Sequence, residues 1–193
     1  MRAFIGLEIP ENIRTFYTSS CKSLRSSADM YFVRLDKMHI TLAFFPDLPN
    51  TYIKNIEEIF KELKREQFEI KCANIGLFKR KGIPSTIFIK IGSDELNIYK
   101  EQLHQKLREL YIPFDDRKPY TPHITLGRIK EVKSEYDFTK SYRYIAQYFK
   151  SSSFMVDNIH LYSSDMLTYK KEASEDFIKI YSEESEDENI GGY

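Results

Sequence analysis

A four-residue motif, His-Ile-Thr-Leu, occurs twice in this chain, and the repeat limits the possible folds more than any other feature. The copies occupy residues 39–42 and 123–126, 84 positions apart. Both lie in apolar runs with β-branched residues, a pattern that predicts strands. Because strand side chains alternate between faces, the His and Thr of each copy share one face and the Ile and Leu point into a core. Each copy therefore presents an imidazole and a hydroxyl side by side.

The length and composition are those of a globular chain. It has 193 residues, of which 41% are hydrophobic and 15% aromatic, enough for one large domain or two small lobes around a shared core. Predicted strands and helices alternate, and the motif occurs once in each half. We therefore expect an α+β fold of two similar lobes around a pseudo-two-fold axis, with the motif strands facing each other across a central groove.

Local patterns predict the individual elements. Helices are expected to begin near Pro10, at Asn50 or Thr51, after Ser93 and near Lys140. Strands are expected over residues 2–9, 31–35, 38–45, 68–77, 86–91, 122–129, 154–162 and 176–181, and a basic loop over residues 78–85. His104 is expected to be solvated and His160 to point outward.

The charge is balanced overall but uneven along the chain. Lys plus Arg and Asp plus Glu both number 29, yet five of the acids lie in residues 183–193, which contain no Lys or Arg. Residues 1–182 are therefore mildly basic, which suits a small anionic group better than a long polyanion. We expect a single bilobal domain over residues 1–181 and a disordered acidic tail over residues 182–193.

The remaining composition indicates the cellular setting. Cys21 and Cys72 show no metal or redox spacing and are expected to be free thiols in a reducing compartment. The sequence has no signal-peptide pattern at its start and no apolar run of membrane-spanning length. We expect a soluble, cytoplasmic, monomeric protein that does not bind membranes.

The repeated histidines suggest acid–base chemistry. The unperturbed pKa of histidine is about 6.5, so one of two facing imidazoles can be protonated while its partner is neutral. Hydrolysis of a phosphoester uses such a pair, because a base activates water and an acid protonates the departing oxygen on the other side of phosphorus. The residues alone do not say whether His39 or His123 is the acid.

Other residues near the motifs suit a bound phosphate. The hydroxyls of Thr41 and Thr125 can hold its non-bridging oxygens, and Arg128 offers a planar cationic fork. Strict alternation would place Arg128 on the face opposite His123, but Gly127 could permit a bulge or a strand end that turns it back. The sequence shows no metal-ligand cluster and no partner set for a covalent nucleophile, so a mechanism without metal or cofactor is the simplest.

The sequence around the motifs resembles the 2H phosphoesterases, in particular RNA 2′,3′-cyclic phosphodiesterases, also described as 2′-5′ RNA ligase-like proteins. The resemblance is carried by RAFIGLEIP at residues 2–10, MHITLAFF at 38–45, PYTPHITLGR at 119–128 and IHLYSS at 159–164. It extends over residues 1–181. The chain departs from the family pattern at Phe45-Pro46, where Leu-Gly is usual, and in lacking a glycine around residues 170–176.

The resemblance implies a fold and a reaction. It implies lobes of antiparallel sheet and the opening of a 2′,3′-cyclic phosphate at an RNA 3′ end to leave a 2′-phosphomonoester. His39 would be the proton donor and His123 the proton acceptor, with Thr41, Thr125 and Arg128 binding substrate. The substrates would be RNA 3′ ends or small cyclic-phosphate nucleotides.

Two alternatives remain open. One is another 2H reaction: cleavage of a 2′-5′ linkage, hydrolysis of a small cyclic nucleotide, or RNA 2′-5′ ligation. The other is a non-catalytic RNA-end-binding module, which the presence of both histidines disfavours.

Overall fold

The computed structural model describes residues 1–116, 119–165 and 168–179. The strands in this part of the chain are β1 (Ala3–Glu8), β2 (Ala28–Phe32), β3 (His39–Phe45), β4 (Phe68–Arg80), β5 (Ile83–Gly92), β6 (His123–Val132), β7 (Ser152–Val156), β8 (Asn158–Ser164) and β9 (Tyr169–Asp176). The α-helices are α1 (Glu11–Ser20), α2 (Ile53–Glu62), α3 (Asp94–Glu109) and α4 (Glu135–Gln147), and short 3₁₀ segments span Lys22–Ser26, Leu35–Lys37 and Asn50–Tyr52.

The strands form one antiparallel sheet with two similar halves. Its order is β7-β4-β5-β6-β3-β1-β8-β9, with β2 paired to β6. Each half starts from a motif strand and continues outward through three further strands: β3-β1-β8-β9 on one side and β6-β5-β4-β7 on the other. The motif strands meet in the middle through one pair, Ile40 and Ile124. The predicted α+β architecture, with the two motifs at a central pseudo-two-fold axis, is confirmed.

The apolar positions of the motifs enter a single core. Ile40, Leu42, Ile124 and Leu126 are all at most 2% exposed and belong to one cluster with the inward faces of the four helices. The helices contribute Ile13 and Tyr17 from α1, Ile56, Ile59 and Phe60 from α2, Leu96, Tyr99, Leu103 and Leu107 from α3, and Phe138 and Ile145 from α4. The polar motif residues are thereby left on the other face of β3 and β6.

Two of the helices, α3 and α4, begin at serine caps. Ser93 accepts a hydrogen bond from the Leu96 amide at 3.1 Å, as predicted for the start of α3. Ser134 accepts one from the Asp137 amide at 3.3 Å, so α4 begins at Glu135 rather than near Lys140. A serine cap with acidic residues in the first turn is the signal for that earlier start.

The prediction of a basic loop over residues 78–85 is wrong. β4 continues to Arg80, β5 begins at Ile83, and the two residues between them form a tight turn. Lys81 and Gly82 have φ of 52° and 82°, the left-handed conformations that a type I′ hairpin turn requires. A lysine in that conformation costs about 1 kcal/mol relative to glycine. Because lysine is unusual at this turn position, the sequence pattern did not indicate a hairpin.

Two strand assignments near the C-terminus also change. The run 154–162 is two strands divided at Asp157, because β7 pairs with β4 whereas β8 pairs with β1 in the other half of the sheet. In the described residues the last strand is Tyr169–Asp176, and Ile178 forms an isolated bridge with Glu66 where a strand over residues 176–181 was predicted. Residues 180 and 181 of that prediction lie outside the described part of the chain. The proposed tail, residues 182–193, lies outside the described residues.

Further expectations concern the thiols and the membrane. Cys21 and Cys72 are free, as predicted, and both are buried. Burial raises the pKa of the Cys21 thiol to about 12. No helix in the described ranges has the length and hydropathy needed to cross a membrane.

Candidate active site

A pocket of about 550 Å³ lies where the two motif strands diverge. Its lining includes the five residues that the sequence marked as site candidates: His39, Thr41, His123, Thr125 and Arg128. The structure thus brings the two copies of the motif, distant in sequence, onto the walls of one pocket. The roles of these five residues in a reaction remain predictions.

The two imidazoles are held in the same way. Nδ1 of His39 lies 2.8 Å from the Lys37 carbonyl oxygen, and Nδ1 of His123 lies 2.7 Å from the Thr121 carbonyl oxygen. Because a carbonyl oxygen only accepts, Nδ1 carries the proton in both rings. Nε2 is then the nitrogen of each ring that is available to the pocket, as a base when neutral or as an acid when protonated.

Aromatic rings enclose His39. Phe4 stacks on the imidazole with ring centroids 4.2 Å apart and planes at 18°, and Tyr169 meets it edge-on at 5.6 Å. Burial among these rings lowers the pKa of His39 to about 4, the Lys37 carbonyl opposes the shift, and a charge on His123 would add to it. Without an anion nearby, His39 is therefore neutral at pH 7.

His123 has a related environment in the other half of the sheet. Phe78 and Phe88 meet its ring at steep angles, with centroids 4.9 and 5.3 Å away. Burial lowers the pKa of His123 below the usual 6.5, the Thr121 carbonyl opposes this, and the positive charge of Arg128 lowers it further. The fixed cation therefore acts on His123 to favour its neutral form.

A bulge in β6 turns Arg128 towards the pocket. Phe88 pairs with Thr125 and the next residue of β5, Ile87, pairs with Gly127, so β6 contains one extra residue there. This shift reverses the alternation after the motif, and the Arg128 guanidinium lines the pocket. The hypothesis that a bulge returns Arg128 to the motif face is confirmed.

The local surroundings show why glycine stands before Arg128 and what holds the arginine. A Cβ on Gly127 would lie 2.8 Å from the Tyr31 carbonyl oxygen, too close for any other residue without movement of the backbone. Nη1 of Arg128 donates to Oγ1 of Thr86 at 3.1 Å. The strand β5 thus orients the guanidinium.

β3 has a matching bulge that turns an aromatic ring to the pocket. Ile5 pairs with Ala43 and Gly6 with Thr41, so β3 also contains one extra residue, at the end of its motif. Phe44, five residues after His39, therefore occupies the position that corresponds to Arg128. Phe44 lines the pocket beneath the Arg2 guanidinium, 5.0 Å from its ring, whereas the next residue, Phe45, is fully buried.

Helix α3 contributes residues that the sequence analysis missed. Lys100 and His104 line the far end of the pocket and are 4% and 3% exposed. Nε2 of His104 lies 2.8 Å from the Leu42 carbonyl oxygen, so the expectation of a solvated His104 is wrong. Residues 100 and 104 are four apart and adjoin the apolar stripe of α3, which is the signal that they share its buried side.

His160 is also buried, at 4% exposure, contrary to the outward position expected. His160 lies in β8, directly opposite Gly6 of β1. Its Nε2 is 3.3 Å from the Lys171 ammonium and 3.7 Å from the Glu8 carboxylate. Burial and the Lys171 charge lower the pKa of His160. The flanking strands β1 and β9 bury a position that alternation alone marks as solvent-facing.

The pocket has the polarity to receive an anion. Its described lining includes four cationic side chains, Arg2, Lys37, Lys100 and Arg128, and two acidic ones, Asp115 and Asp116. The Thr41 and Thr125 side chains line it as well, half-buried beside the histidines. Among the described residues there is no group of three or more His, Cys, Asp or Glu side chains placed to hold a metal ion.

The duplicated motif and the curled antiparallel sheet define a 2H phosphoesterase. The chain belongs to the 2′-5′ RNA ligase superfamily, whose family model matches residues 10–166. The resemblance inferred from the motifs is confirmed.

Curated relatives share moderate identity with this chain. An RNA 2′,3′-cyclic phosphodiesterase of Archaeoglobus fulgidus is 27% identical over 136 residues, which are 70% of this chain and 76% of that protein. One from Methanocaldococcus jannaschii is 28% identical over 136 residues, 70% of this chain and 75% of that protein. These relatives support the assignment as a phosphoesterase.

Solved structures share the fold. A Thermus thermophilus protein superposes with a TM-score of 0.73 at 21% identity, over 92% of this chain and 98% of that one. Escherichia coli LigT complexed with 3′-AMP superposes with a TM-score of 0.66 at 17% identity, over 91% of this chain and 97% of that one. At these identities the likeness establishes the architecture alone.

Proposed function

We propose that this protein hydrolyses 2′,3′-cyclic phosphates at RNA 3′ ends to leave 2′-phosphomonoesters. The observation that carries the proposal is the matched pair of imidazoles, each fixed through Nδ1 to a backbone carbonyl and each lining the same cation-rich pocket. The relatives named RNA 2′,3′-cyclic phosphodiesterase support the substrate class. The LigT complex with 3′-AMP supports binding of a nucleotide.

The charges around the pair support one assignment of roles. Arg128 lowers the pKa of His123 and so favours the neutral form, which can accept a proton from water through Nε2. His39 has no such cationic contribution to its pKa beyond that of His123. Its protonated Nε2 would donate to the departing 3′ oxygen. A bound phosphate anion favours this protonated form because it offsets the desolvation of the cation.

The remaining pocket residues would position the phosphate. The hydroxyls of Thr41 and Thr125, which line the pocket from the two halves of the sheet, would donate to its non-bridging oxygens. Arg128 would balance the charge that develops on those oxygens, held by its bond to Thr86. Phe44 offers a ring against which a terminal nucleobase can pack, and stacking on aromatic side chains is common in recognition of unpaired RNA bases.

The decisive experiment uses a short single-stranded RNA that ends in a 2′,3′-cyclic phosphate. The purified protein should convert it to a product with a 2′-phosphomonoester, identified by its sensitivity to phosphatase, which the cyclic end resists, and by chromatographic comparison with synthetic 2′-phosphate and 3′-phosphate standards. His39→Ala and His123→Ala should each lower the rate by about 10²–10⁴-fold, the range for general acid–base groups.

Matched substrates separate the competing reactions. A 2′-5′-linked dinucleotide tests cleavage of that linkage, and an RNA with a 5′-hydroxyl end tests ligation to the cyclic phosphate. Faster turnover of either would replace the proposed reaction by that one. Tight binding of the cyclic end with no conversion, in the wild type as in both histidine variants, would identify a binding module.

A further inference from the structure

The β4–β5 hairpin reaches beyond its neighbours beside the pocket. β5 pairs with β6 only as far as Thr86 and Arg128, and β4 pairs with β7 only over residues 68–72. Residues 79–85, here called the hairpin tip, therefore pair only with each other and have no third strand beside them in the described part of the chain. At the base of the tip, Phe78 lines the pocket and contacts the ring of His123.

The hairpin tip is strongly basic and its charges are not neutralised. Lys79, Arg80 and Lys81 are consecutive and exposed, and none of them forms an ion pair with a residue that the structure describes. Some other surface cations of the chain are paired, such as Lys61 with Glu58 at 2.8 Å. Lys81 moreover occupies the left-handed turn position where asparagine or glycine is preferred. The tip is thus a concentration of free positive charge that continues from the pocket wall.

An exposed aromatic side chain lies on the other side of Arg128. Tyr31 of β2 is directly opposite Arg128 of β6 in the antiparallel pairing, so both side chains are on the same face of the sheet. Tyr31 is 51% exposed, and two residues later in the chain Val33 lines the pocket. A large aromatic ring in solvent beside a phosphate-binding cation is suited to stack on an unpaired base.

We propose that the hairpin tip and Tyr31 form a binding surface for single-stranded RNA, which receives the nucleotides adjacent to the end held in the pocket. The cations of the tip bind the phosphates of these nucleotides, and Tyr31 stacks on a base. This combination of a basic track with an aromatic platform is the usual means of binding single-stranded nucleic acid. The inference rests on the proposed function for the identity of the strand, because the pocket must hold its 3′ end.

The surface makes the protein prefer an RNA chain to a lone nucleotide. The test variant is Lys79→Ser with Arg80→Ser and Lys81→Asn, in which asparagine keeps the left-handed turn conformation. Its kcat/KM on a single-stranded RNA with a cyclic-phosphate end should fall about tenfold at low salt. Its kcat/KM on a mononucleoside 2′,3′-cyclic phosphate should stay at the wild-type value, because the tip does not touch the terminal nucleotide.

Binding is measured separately from turnover. The probe is a fluorescent single-stranded RNA that already ends in a 2′-phosphomonoester, and its anisotropy is followed against salt. The slope of log affinity against log salt is negative, and each phosphate contact contributes about 0.7 to its magnitude with single strands. Loss of three phosphate contacts should therefore reduce the magnitude of this slope by about 2. Tyr31→Thr should weaken binding about tenfold without changing the slope.

The control removes the same charge elsewhere. The control variant replaces three exposed lysines by alanine: Lys54 and Lys61 in helix α2, and Lys64 just after it. None of these lysines lines the pocket. This variant should match the wild type in affinity, slope and kcat/KM, and thermal melting should show that all variants are folded. An equal loss in the α2 variant would mean that net charge, and not the hairpin tip, attracts RNA.

The outcomes separate the two proposals. Wild-type protein that hydrolyses neither substrate, but binds RNA through the tip, would overturn the proposed function and leave the RNA surface standing. Hydrolysis of both substrates with unchanged affinity and slope in the tip variant would overturn the surface alone. If Tyr31→Thr weakened binding to a duplex RNA as much as to a single strand, the stacking assignment would be wrong.

Discussion

The Tyr120 hydroxyl donates a hydrogen bond to the Thr41 carbonyl oxygen at 2.9 Å. This bond joins the segment that leads into the second motif to the strand that carries the first. β3 and β6 share only the pair Ile40 and Ile124, so Tyr120 supplies a further link between the two halves where they diverge. Burial raises the pKa of Tyr120, which keeps its hydroxyl protonated and able to donate.

Tyr120→Phe should therefore reduce turnover through geometry. The lost bond should cost about 1 kcal/mol of stability, and kcat should fall because the spacing of the two histidines is no longer held. The matched control is Tyr142→Phe. It removes the 3.2 Å hydrogen bond from the Tyr142 hydroxyl to the Ile75 carbonyl oxygen, at a position that does not line the pocket. Equal stability losses with equal kcat in both variants would show that Tyr120 serves stability alone.

The profile of kcat/KM against pH should be bell-shaped, with its maximum at acidic pH. The rate needs His39 protonated and His123 neutral, and the pKa of His39 is about 4 while that of His123 lies below 6.5. The profile should be highest between those two pKa values, fall below about pH 4 as both imidazoles become protonated, and fall above the pKa of His123. The profile of kcat should lie at higher pH, because a bound phosphate anion raises both pKa values. A kcat/KM profile with its maximum above pH 7 would contradict the lowering of both histidine pKa values by burial in the free protein.

Substitution of sulfur for the 3′ leaving oxygen tests which histidine is the acid. A thiolate departs without protonation, so His39→Ala should regain much of its lost rate on that substrate. His123→Ala should not, because water must still be activated. Rescue of the His123 variant would reverse the assignment, and rescue of neither would mean that both imidazoles bind the phosphate without transferring protons.

Arg128→Ala should weaken catalysis and also shift a titration. Loss of the cation should lower kcat/KM by about 10²-fold, in the range for removal of a group that stabilises transition-state charge. Because the Arg128 charge lowers the pKa of His123, its removal should raise that pKa, and the titration of His123 measured by NMR should move to higher pH. An unchanged titration would show that the guanidinium does not face His123 in solution.

Hydrolysis of the cyclic end should survive chelation. The proposed proton transfers use only His39 and His123, and the described residues include no cluster placed to hold a metal. Rates measured with and without excess EDTA should agree. Activity that is lost on chelation and restored only by a divalent cation would require a metal in the mechanism.

The sequence by itself determined which side chains the candidate site offers, because these groups lie in a short motif that is repeated. The spacing of His39 and Thr41, repeated in His123 and Thr125, puts an imidazole and a hydroxyl on one face of any strand. The α+β architecture followed from the alternation of elements and from one motif in each half. The glycine before Arg128 also gave a physical reason to expect a bulge.

Tertiary structure decided what depends on pairing between distant segments. The bulge in β3 exchanges the faces of Phe44 and Phe45, and it shows only in the register with β1. Burial of His104 and His160 comes from neighbouring segments that alternation within one strand or helix does not report. The hairpin tip beside the pocket appears only once β4 and β5 are paired. Local sequence specifies which groups a segment can offer, whereas the register between strands specifies which of them meet.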